Sequence, residues 1–275
     1  MPDAAAPERT DPHAPRIFQR AQPEGVPPLE LTGERTLPDI PQENYWFRRH
    51  AAVYEWIRTR VGGQRVVDMA CGEGYGTDIL ARTATSAVGV DANADAFAHA
   101  RAKYERPGVR FVRTLIDLYD EPCDAVVFLQ TIEHVTNPGD VLERFRALVA
   151  AGERPAIYVS TPNVLTLAPG GAERSGNPWH VREYRAAEFR ELCAAHASRV
   201  ELYGLYHARM LALHEFALEH LHWDAVHARL GITERFYERF TPAISERDFR
   251  LVAEADAAAL GGLDRALDFL AVLTP

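Results

Sequence analysis

The sequence predicts an α/β protein built on a doubly wound, mostly parallel seven-stranded sheet. Short apolar runs alternate with helix-length segments of mixed polarity, a pattern typical of parallel strands joined by right-handed helical crossovers. A glycine-rich turn follows the first run, and an acid, Asp91, ends the second. Because such sheets bind ligands beyond the carboxyl ends of their strands, we expect functional residues directly after each run.

The part of the chain before the first strand is predicted to contain a tail and one helix. Residues 1–28 are rich in proline and charge, which removes backbone donors and apolar surface, so we expect a disordered tail. The remaining residues, 29–275, are expected to form a single domain. Apolar residues at helical spacing across Glu43–Arg60, followed by a Gly-Gly pair, predict an N-terminal lid helix over the ligand cleft.

Seven apolar runs bounded by turn residues are assigned to the sheet. A further helix is expected at Ala186–His196. Residues 208–262 carry His, Phe, Tyr and Ala at helical spacings, and we interpret them as a helical insertion that covers the active edge before the last strand. The predicted strands are Val66–Met69, Ala87–Val90, Val109–Val112, Ala125–Leu129, Ala156–Val159, Val200–Tyr206 and Leu267–Leu273.

Composition excludes several classes of function. The 275 residues include 30 basic and 39 acidic side chains, for a net charge of −9 without a basic stripe, which argues against long nucleic acids as ligands. Cys71, Cys123 and Cys193 are odd in number and far apart, which favours a reducing compartment, and we expect the cytoplasm. No run is long enough to span a membrane, and no signal peptide is predicted. Monomer and homodimer both remain open.

The turn after the first strand has the properties of a cofactor loop. Gly72, Gly74 and Gly76 let the backbone approach a ligand closely, and the helix that follows directs free N–H groups at it. Asp91 can accept hydrogen bonds from both hydroxyls of a ribose. Asp68, before the turn, suits a cationic amino-acid group and would repel a pyrophosphate. A dinucleotide enzyme, which uses a similar loop, is the alternative.

The segment Asp-x-Ala-Cys-Gly-x-Gly-x-Gly at positions 68–76, with its downstream acid, resembles motif I of the class I S-adenosylmethionine-dependent methyltransferases. One position departs from the motif, since the family usually has glycine where Ala70 stands. The resemblance implies a Rossmann-like methyltransferase fold with S-adenosylmethionine as cofactor. It assigns the methionyl part to Asp68, Ala70, Gly72 and Gly74, and the ribose to Asp91.

The adenine position is less defined in this sequence. Leu115 stands where many relatives carry an acid that bonds the adenine amino group. Backbone groups of Leu115 and Ile116, or the side chain of Asp117, are equally weighted as replacements. Gln130, which directly follows the fourth strand, is also assigned to the cofactor.

Glu133 and His134 follow the fourth strand, so we expect them opposite the methyl donor. A hydroxyl acceptor ionises far above pH 7, so it needs a general base or a metal ion. His134 is the preferred base, with Glu133 and His180 as catalytic partners. In the alternative interpretation neither residue is catalytic: Glu133 caps a helix, and His134 is a packed surface residue. Similarity to methyltransferases of quinones and small-RNA 3′ ends implies another role, in which Glu133, His134 and His180 bind a divalent cation such as Mg²⁺.

A more extended resemblance concerns the acceptor. Leu31–Thr36, Glu43–His50, Ser160–Asn163 and Gly204–His207 resemble the actinobacterial sugar O-methyltransferases of methylglucose lipopolysaccharide and related polymethylated polysaccharides. This implies O-methylation of an oligosaccharide or polysaccharide. A quinone, lipid or natural-product hydroxyl is the alternative acceptor, and an inert cofactor-binding relative is the non-enzymatic alternative. Substrate contacts are assigned to Tyr45, Trp46, Arg49, His50, Asn163 and His207, with core packing or surface exposure as the competing interpretation.

Overall fold

An eight-stranded sheet forms the centre of the computed structural model, which describes residues 16–33, 35–149, 154–168 and 172–275. The strands are β1 (Arg65–Met69), β2 (Ser86–Asp91), β3 (Val109–Arg113), β4 (Ala125–Leu129), β5 (Ala156–Pro162), β6 (Arg199–His207), β7 (Phe249–Ala253) and β8 (Asp268–Thr274). Their order across the sheet is β3-β2-β1-β4-β5-β8-β6-β7. Neighbouring strands from β3 to β5 are parallel, whereas β8 is antiparallel to β5 and β6, and β7 to β6. The mostly parallel α/β architecture is confirmed.

Helices cover both faces of this sheet. They are α1 (Asn44–Arg58), α2 (Tyr75–Ala81), α3 (Ala94–Tyr104), α4 (Pro138–Val149), α5 (Val164–Leu167), α6 (Ala186–Ala194), α7 (Arg209–Leu221), α8 (Trp223–Leu230) and α9 (Thr233–Ala243). Strand β4 shows why the arrangement is doubly wound, since all five of its residues are buried. Val126 and Phe128 belong to the core cluster that includes α4 and α6, and Val127 and Leu129 belong to the one that includes α1 and α2.

The prediction of seven strands is wrong, because β7 lies inside the segment 208–262 that was predicted as a helical insertion. That insertion is α-helical as far as α9, a 3-10 turn at Glu246–Asp248 then leads into β7, and a 3-10 helix at Glu254–Leu260 follows the strand. Strand β7 is one of the two edge strands, and Arg250 within it is exposed. A short, half-exposed strand carries little alternating apolar pattern, and the histidines and aromatics before it have helical spacing.

The N-terminal region is more tightly packed than the sequence indicated. Helix α1 buries Ala51, Val53 and Ile57 completely or almost completely in the core, so it is a core helix rather than a lid. Phe18, within the predicted tail, pairs with Glu30 just beyond it in an antiparallel bridge, so at least this part of residues 16–28 has a regular backbone contact. Residues 1–15 of that tail lie outside the described residues.

Two further expectations concern the state of the cysteines and the presence of a membrane-spanning helix. Cys71, Cys123 and Cys193 are all buried and free. Among the described helices, none has both the length and the apolarity that crossing a bilayer requires.

Substitution of Gly76 by alanine tests the contact between α1 and α2. A Cβ at Gly76 would lie 2.2 Å from the Tyr54 ring. Although alanine favours helix by up to about 1 kcal/mol, we expect Gly76→Ala to lower the free energy of unfolding by roughly 1–3 kcal/mol through overpacking. Urea denaturation measures this change. Gly62→Ala, where a Cβ would meet nothing within 4 Å, is the matched control and should change little. Equal stability of the two variants would contradict the close contact.

Candidate active site

The turn after β1 has left-handed backbone at three positions. Ala70 has φ 56°, Gly72 φ 55° and Gly74 φ 97°. A Cβ at Gly72 would meet open space, whereas one at Gly74 would lie 2.8 Å from the side chain of Ala100. Gly72 therefore leaves room beside the loop, and Gly74 permits close packing against α3. Ala70 adopts a conformation that costs a non-glycine residue free energy, a form of strain that clusters at functional sites.

Asp91, at the end of β2, is fixed to this turn. One of its carboxylate oxygens accepts a hydrogen bond from the Gly72 N–H at 2.8 Å, and the other accepts one from the Asn93 N–H at 2.8 Å. A carboxylate has roughly four acceptor positions, so two donors leave capacity for the hydroxyls of a ribose.

Asp68 lies inside the fold, with no exposed surface. Its two oxygens accept hydrogen bonds from the Tyr54 hydroxyl at 3.0 Å and the Thr77 hydroxyl at 2.7 Å, and burial raises its pKa to about 7. These bonds join β1 to α1 and α2. Asp68 thus supports the loop through its internal hydrogen bonds, and its contact with the methionyl group stays a prediction.

A cluster of one carboxylate and two imidazoles lies just beyond β4 and β5. A carboxylate oxygen of Glu133 and one ring nitrogen each of His134 and His180 all lie within 4.8 Å of one another. The planes of the two imidazoles are 69° apart, with centroids separated by 5.0 Å. Glu133 is buried, which raises its pKa to about 8, and it accepts a hydrogen bond from the Thr161 hydroxyl.

Neighbouring groups orient both imidazoles of this cluster. His134 Nδ1 donates to the Trp179 carbonyl at 2.8 Å, so in neutral His134 the basic lone pair is on Nε2. His180 Nδ1 donates to Glu183 at 2.6 Å. The Glu133 carbonyl accepts from the N–H of Val181 at 2.8 Å, which fastens the segment around His180 to the end of β4. Fixed orientation of this kind is what a base or a metal ligand requires.

The residues expected at the adenine end occupy the ends of β3 and β4. Leu115 is 54% exposed, Ile116 is half-buried and Asp117 is exposed. Gln130 has left-handed backbone with φ 50°, and its backbone N–H and its amide group both donate to the Ser160 hydroxyl. Nothing in this geometry separates the backbone of Leu115 and Ile116 from the side chain of Asp117 as the adenine partner.

Comparisons with known proteins agree with this arrangement. The profile of the family described as "Methyltransferase domain" matches residues 34–213. A Mycolicibacterium smegmatis protein named "probable S-adenosylmethionine-dependent methyltransferase" is 42% identical over 187 residues, covering 67% of this chain and 71% of the relative. A "ubiquinone biosynthesis O-methyltransferase" of Aeromonas salmonicida is 27% identical over 118 residues, which is 40% of this chain and 49% of that one.

A solved structure supports the same fold. An S-adenosylmethionine-dependent methyltransferase of Thermotoga maritima superposes with a TM-score of 0.54 at 15% identity, covering 85% of this chain and 94% of that chain. The chain belongs to the methyltransferase-domain family. It is an S-adenosylmethionine-dependent methyltransferase, which confirms the predicted enzyme class and cofactor.

Several residues expected to bind the acceptor of this methyltransferase instead hold its fold together. The Asn163 side chain is fully buried, caps α5 through the Leu165 N–H, and donates to the Ala266 carbonyl at 2.8 Å. Arg49 forms a buried ion pair with Asp268, donating from two guanidinium nitrogens at 2.7 and 2.5 Å. The polar groups of Asn163 and Arg49 are therefore used inside the protein, which counts against their assignment to the substrate.

The aromatic cluster on α1 is likewise mostly core. The Tyr45 hydroxyl and His207 Nε2 are 2.8 Å apart, and His207 Nδ1 lies 3.1 Å from Glu215, so both groups are engaged internally. Trp46 packs edge-on against the Tyr45 ring. Tyr45 is buried, and Trp46 and His207 are half-buried, so these contacts favour core packing, and an acceptor contact stays a prediction. His50 differs, since its Nδ1 contacts the Tyr75 hydroxyl while its buried Nε2 has no hydrogen-bond partner within the described residues.

Sequence reasoning missed the most densely bonded side chain of the cofactor loop, Glu73. Its carboxylate lies between Gly72 and Gly74 in the chain and has almost no exposed surface. Glu73 stands at a variable position of the motif. The basic residues further along the chain, on α3, were therefore the only sequence signal for its role. The donors to Glu73 are the side chains of Gln19, His99, Lys103 and Tyr104 and the backbone N–H of Tyr75.

Removing the charge of Glu73 should destabilise the methyltransferase. Burial alone would raise the Glu73 pKa, but hydrogen bonds from His99 and Lys103 outweigh it and hold the pKa below 4.5. Glu73→Gln leaves Lys103 without its buried partner, so we expect the free energy of unfolding to fall by about 3 kcal/mol at pH 7. Glu105→Gln, at the exposed end of α3, is the control and should cost about 0.5 kcal/mol or less.

The stability of wild type and Glu73→Gln can also be compared as a function of pH. A carboxylate with a lowered pKa stabilises the folded state above its unfolded pKa and loses this contribution as pH falls through its folded pKa. The stability difference between wild type and Glu73→Gln should therefore shrink as pH falls below about 4.5, as followed by chemical denaturation. A difference that is constant from pH 7 to pH 3 would contradict an ionised Glu73.

Proposed function

We propose that this methyltransferase transfers the methyl group of S-adenosylmethionine to a hydroxyl on a sugar unit of an oligosaccharide or polysaccharide. The observation that carries this proposal is the oriented cluster of Glu133, His134 and His180 beyond β4. Methylation of an alcohol requires removal of the hydroxyl proton, and a fixed imidazole beside a buried carboxyl group can act as the base. An inert cofactor-binding protein would have no use for such a cluster.

The chemistry assigned to the cluster is a direct displacement. The acceptor oxygen attacks the methyl carbon, the carbon–sulfur bond breaks, and its electron pair stays on sulfur to give S-adenosylhomocysteine. His134 Nε2 takes the hydroxyl proton, since its Nδ1 proton is held by the Trp179 carbonyl. Alignment of the two reactants supplies much of the remaining acceleration.

We assign the cofactor to the loop after β1 and the ends of the neighbouring strands. Asp91 would bind the ribose hydroxyls with its remaining acceptor capacity, and Ala70, Gly72 and Gly74 would border the methionyl part. The adenine and the sulfonium end would be bordered by Gln130 together with either Leu115 and Ile116 or Asp117. Open space beside Gly72 supports this assignment.

A divalent cation such as Mg²⁺ is a second role for the same cluster. One carboxylate and two imidazoles within 4.8 Å of one another are a reasonable donor set, and the hydrogen bonds that the two rings donate to the Trp179 carbonyl and to Glu183 orient them. When bound by Glu133, His134 and His180, such a cation would lower the pKa of the acceptor hydroxyl.

The exposed residues beside the cluster are suited to an acceptor with a ring, such as a sugar or a quinone. The Trp179 side chain is 49% exposed and Val181 is 53% exposed, although both are anchored through their backbones to His134 and Glu133. An exposed aromatic face is a suitable platform for a sugar ring. A quinone phenol is the alternative acceptor, because the ubiquinone O-methyltransferase of Aeromonas salmonicida is among the relatives.

The setting in which we place the enzyme follows from its composition. Three buried free cysteines suit the reducing cytoplasm. A cytoplasmic location, the absence of a long nucleic-acid ligand and the choice between monomer and homodimer stay predictions.

Asp91→Asn tests the cofactor assignment. Loss of a charged acceptor for the ribose should weaken S-adenosylhomocysteine binding by about tenfold or more, as measured by isothermal titration calorimetry. Asp95→Asn, on the exposed first turn of α3, should bind normally. Unchanged affinity in a folded Asp91→Asn protein would remove Asp91 from the ribose site.

His134→Gln tests the reaction. Release of S-adenosylhomocysteine is measured with glucose and mannose oligosaccharides and with quinone phenols, each in EDTA or Mg²⁺. Turnover on a saccharide is expected, and His134→Gln should lower it at least about a hundredfold while S-adenosylhomocysteine affinity is kept. His196→Gln, just after the end of α6, is the control.

The outcomes of this panel separate the candidates. Turnover only on phenols would replace the sugar with the alternative acceptor. Activity that EDTA abolishes and Mg²⁺ restores would assign His134 to metal binding. Full activity of His134→Gln on a saccharide would contradict both roles.

A further inference from the structure

A cavity of about 510 Å³ lies on the helical segment that follows β6, away from the residues assigned above. This volume is within the range of small-molecule sites in proteins. Its lining combines apolar side chains with a pair of arginines. The apolar residues are Met210, Ile232, Phe236 and Phe240, and the cations are Arg235 and Arg239.

The apolar wall of this cavity is a stacked aromatic cluster. The rings of Phe236 and Phe240 are stacked with centroids 5.1 Å apart, and the His214 ring lies 4.6 Å from that of Phe240. Buried His214 is fixed in turn, since its Nε2 and the Tyr237 hydroxyl are 3.1 Å apart. Burial lowers the His214 pKa to about 4, so the ring is neutral at pH 7. The wall is therefore uncharged and held in place before any ligand binds.

The two arginines stand out in an acidic protein. Arg235 and Arg239 are one turn apart on α9, both are exposed, and neither has an ion pair or hydrogen bond among the described residues. Like charges at this spacing destabilise a helix by a few tenths of a kcal/mol. Glu234 and Glu238 also lie one turn apart and form a separate row on the same helix. Helix α9 thus brings two unpaired cations to the rim of an apolar cavity.

We propose that this cavity binds an anionic amphiphile, a molecule with an apolar chain or ring and one carboxylate. The apolar part would lie against Phe236 and Phe240, and the carboxylate would bond the guanidinium groups of Arg235 and Arg239. Charge complementarity selects this class, because a neutral chain would leave both arginines unpaired and a cationic one would be repelled.

The cavity is joined to the methyltransferase core through the start of α1. The Asn44 amide donates to the Thr241 carbonyl at 2.8 Å and to the Ile244 carbonyl at 3.0 Å, which fastens the end of α9 to that helix. Met210, in the first turn of α7, lies three residues beyond His207 at the end of β6. None of the residues assigned to cofactor or catalysis lines the cavity, so this binding is a separate property of the chain.

Dodecanoate, below its micelle-forming concentration, is the probe for this site. Isothermal titration calorimetry should show saturable binding to the wild-type protein, with no binding of dodecyltrimethylammonium. Arg235→Glu combined with Arg239→Glu should weaken dodecanoate binding at least about tenfold. Ala243→Trp, which places a large ring at a lining position, should also block it.

The controls separate this site from general damage and from membrane binding. The exposed Arg229→Glu substitution on α8 reverses one charge outside the lining and should leave dodecanoate affinity unchanged. S-adenosylhomocysteine affinity should be the same in all variants, which shows that the cofactor site is intact. Equal dodecanoate affinity in wild type and the double variant would overturn the proposal. Binding to phosphatidylglycerol vesicles without binding of dodecanoate would overturn it as well.

Discussion

The carboxylate of Glu73 is the interaction on which the cofactor side of this methyltransferase depends. It lies within the turn after β1 and receives hydrogen bonds from α3 through His99 and Lys103. It also receives one from Gln19 of the N-terminal segment. A turn rich in left-handed residues would lose much conformational entropy on folding, and these bonds offset that cost. The same carboxylate therefore fixes the loop and folds the N-terminal segment beside it.

The proposed catalytic cluster is positioned in a comparable way, by hydrogen bonds to backbone groups. The carbonyls of Glu133 and Trp179 and the N–H of Val181 connect the end of β4 to the segment that carries His180. These bonds align the loop after β4, which carries Glu133 and His134, with the loop that carries His180. Preorganisation of this kind lets two imidazoles and a carboxylate share one small volume, whether they move a proton or bind a cation.

The sequence predicted the parts of the fold that strong local patterns specify. Strand β4, with five apolar residues, was predicted with its observed bounds, because burial on both faces requires a continuous apolar run. The place of Glu133 and His134 followed from the rule that ligands lie beyond strand ends, whereas His180 was added by the resemblance to methyltransferases of quinones and small-RNA 3′ ends. Strand β7 and the roles of Glu73 and Asn163 could not be predicted, since they depend on partners distant in the chain. A polar residue that caps a turn and one that binds a substrate look the same in a sequence.

A crystal structure of the protein with S-adenosylhomocysteine tests the central claim most directly, namely that the loop after β1 presents the methyl donor to the cluster beyond β4. The account predicts ribose hydroxyls within about 3 Å of the Asp91 carboxylate. It also predicts that the ligand sulfur faces the side chains of Glu133 and His134. A ligand bound elsewhere, or one whose sulfur points away from that cluster, would contradict it.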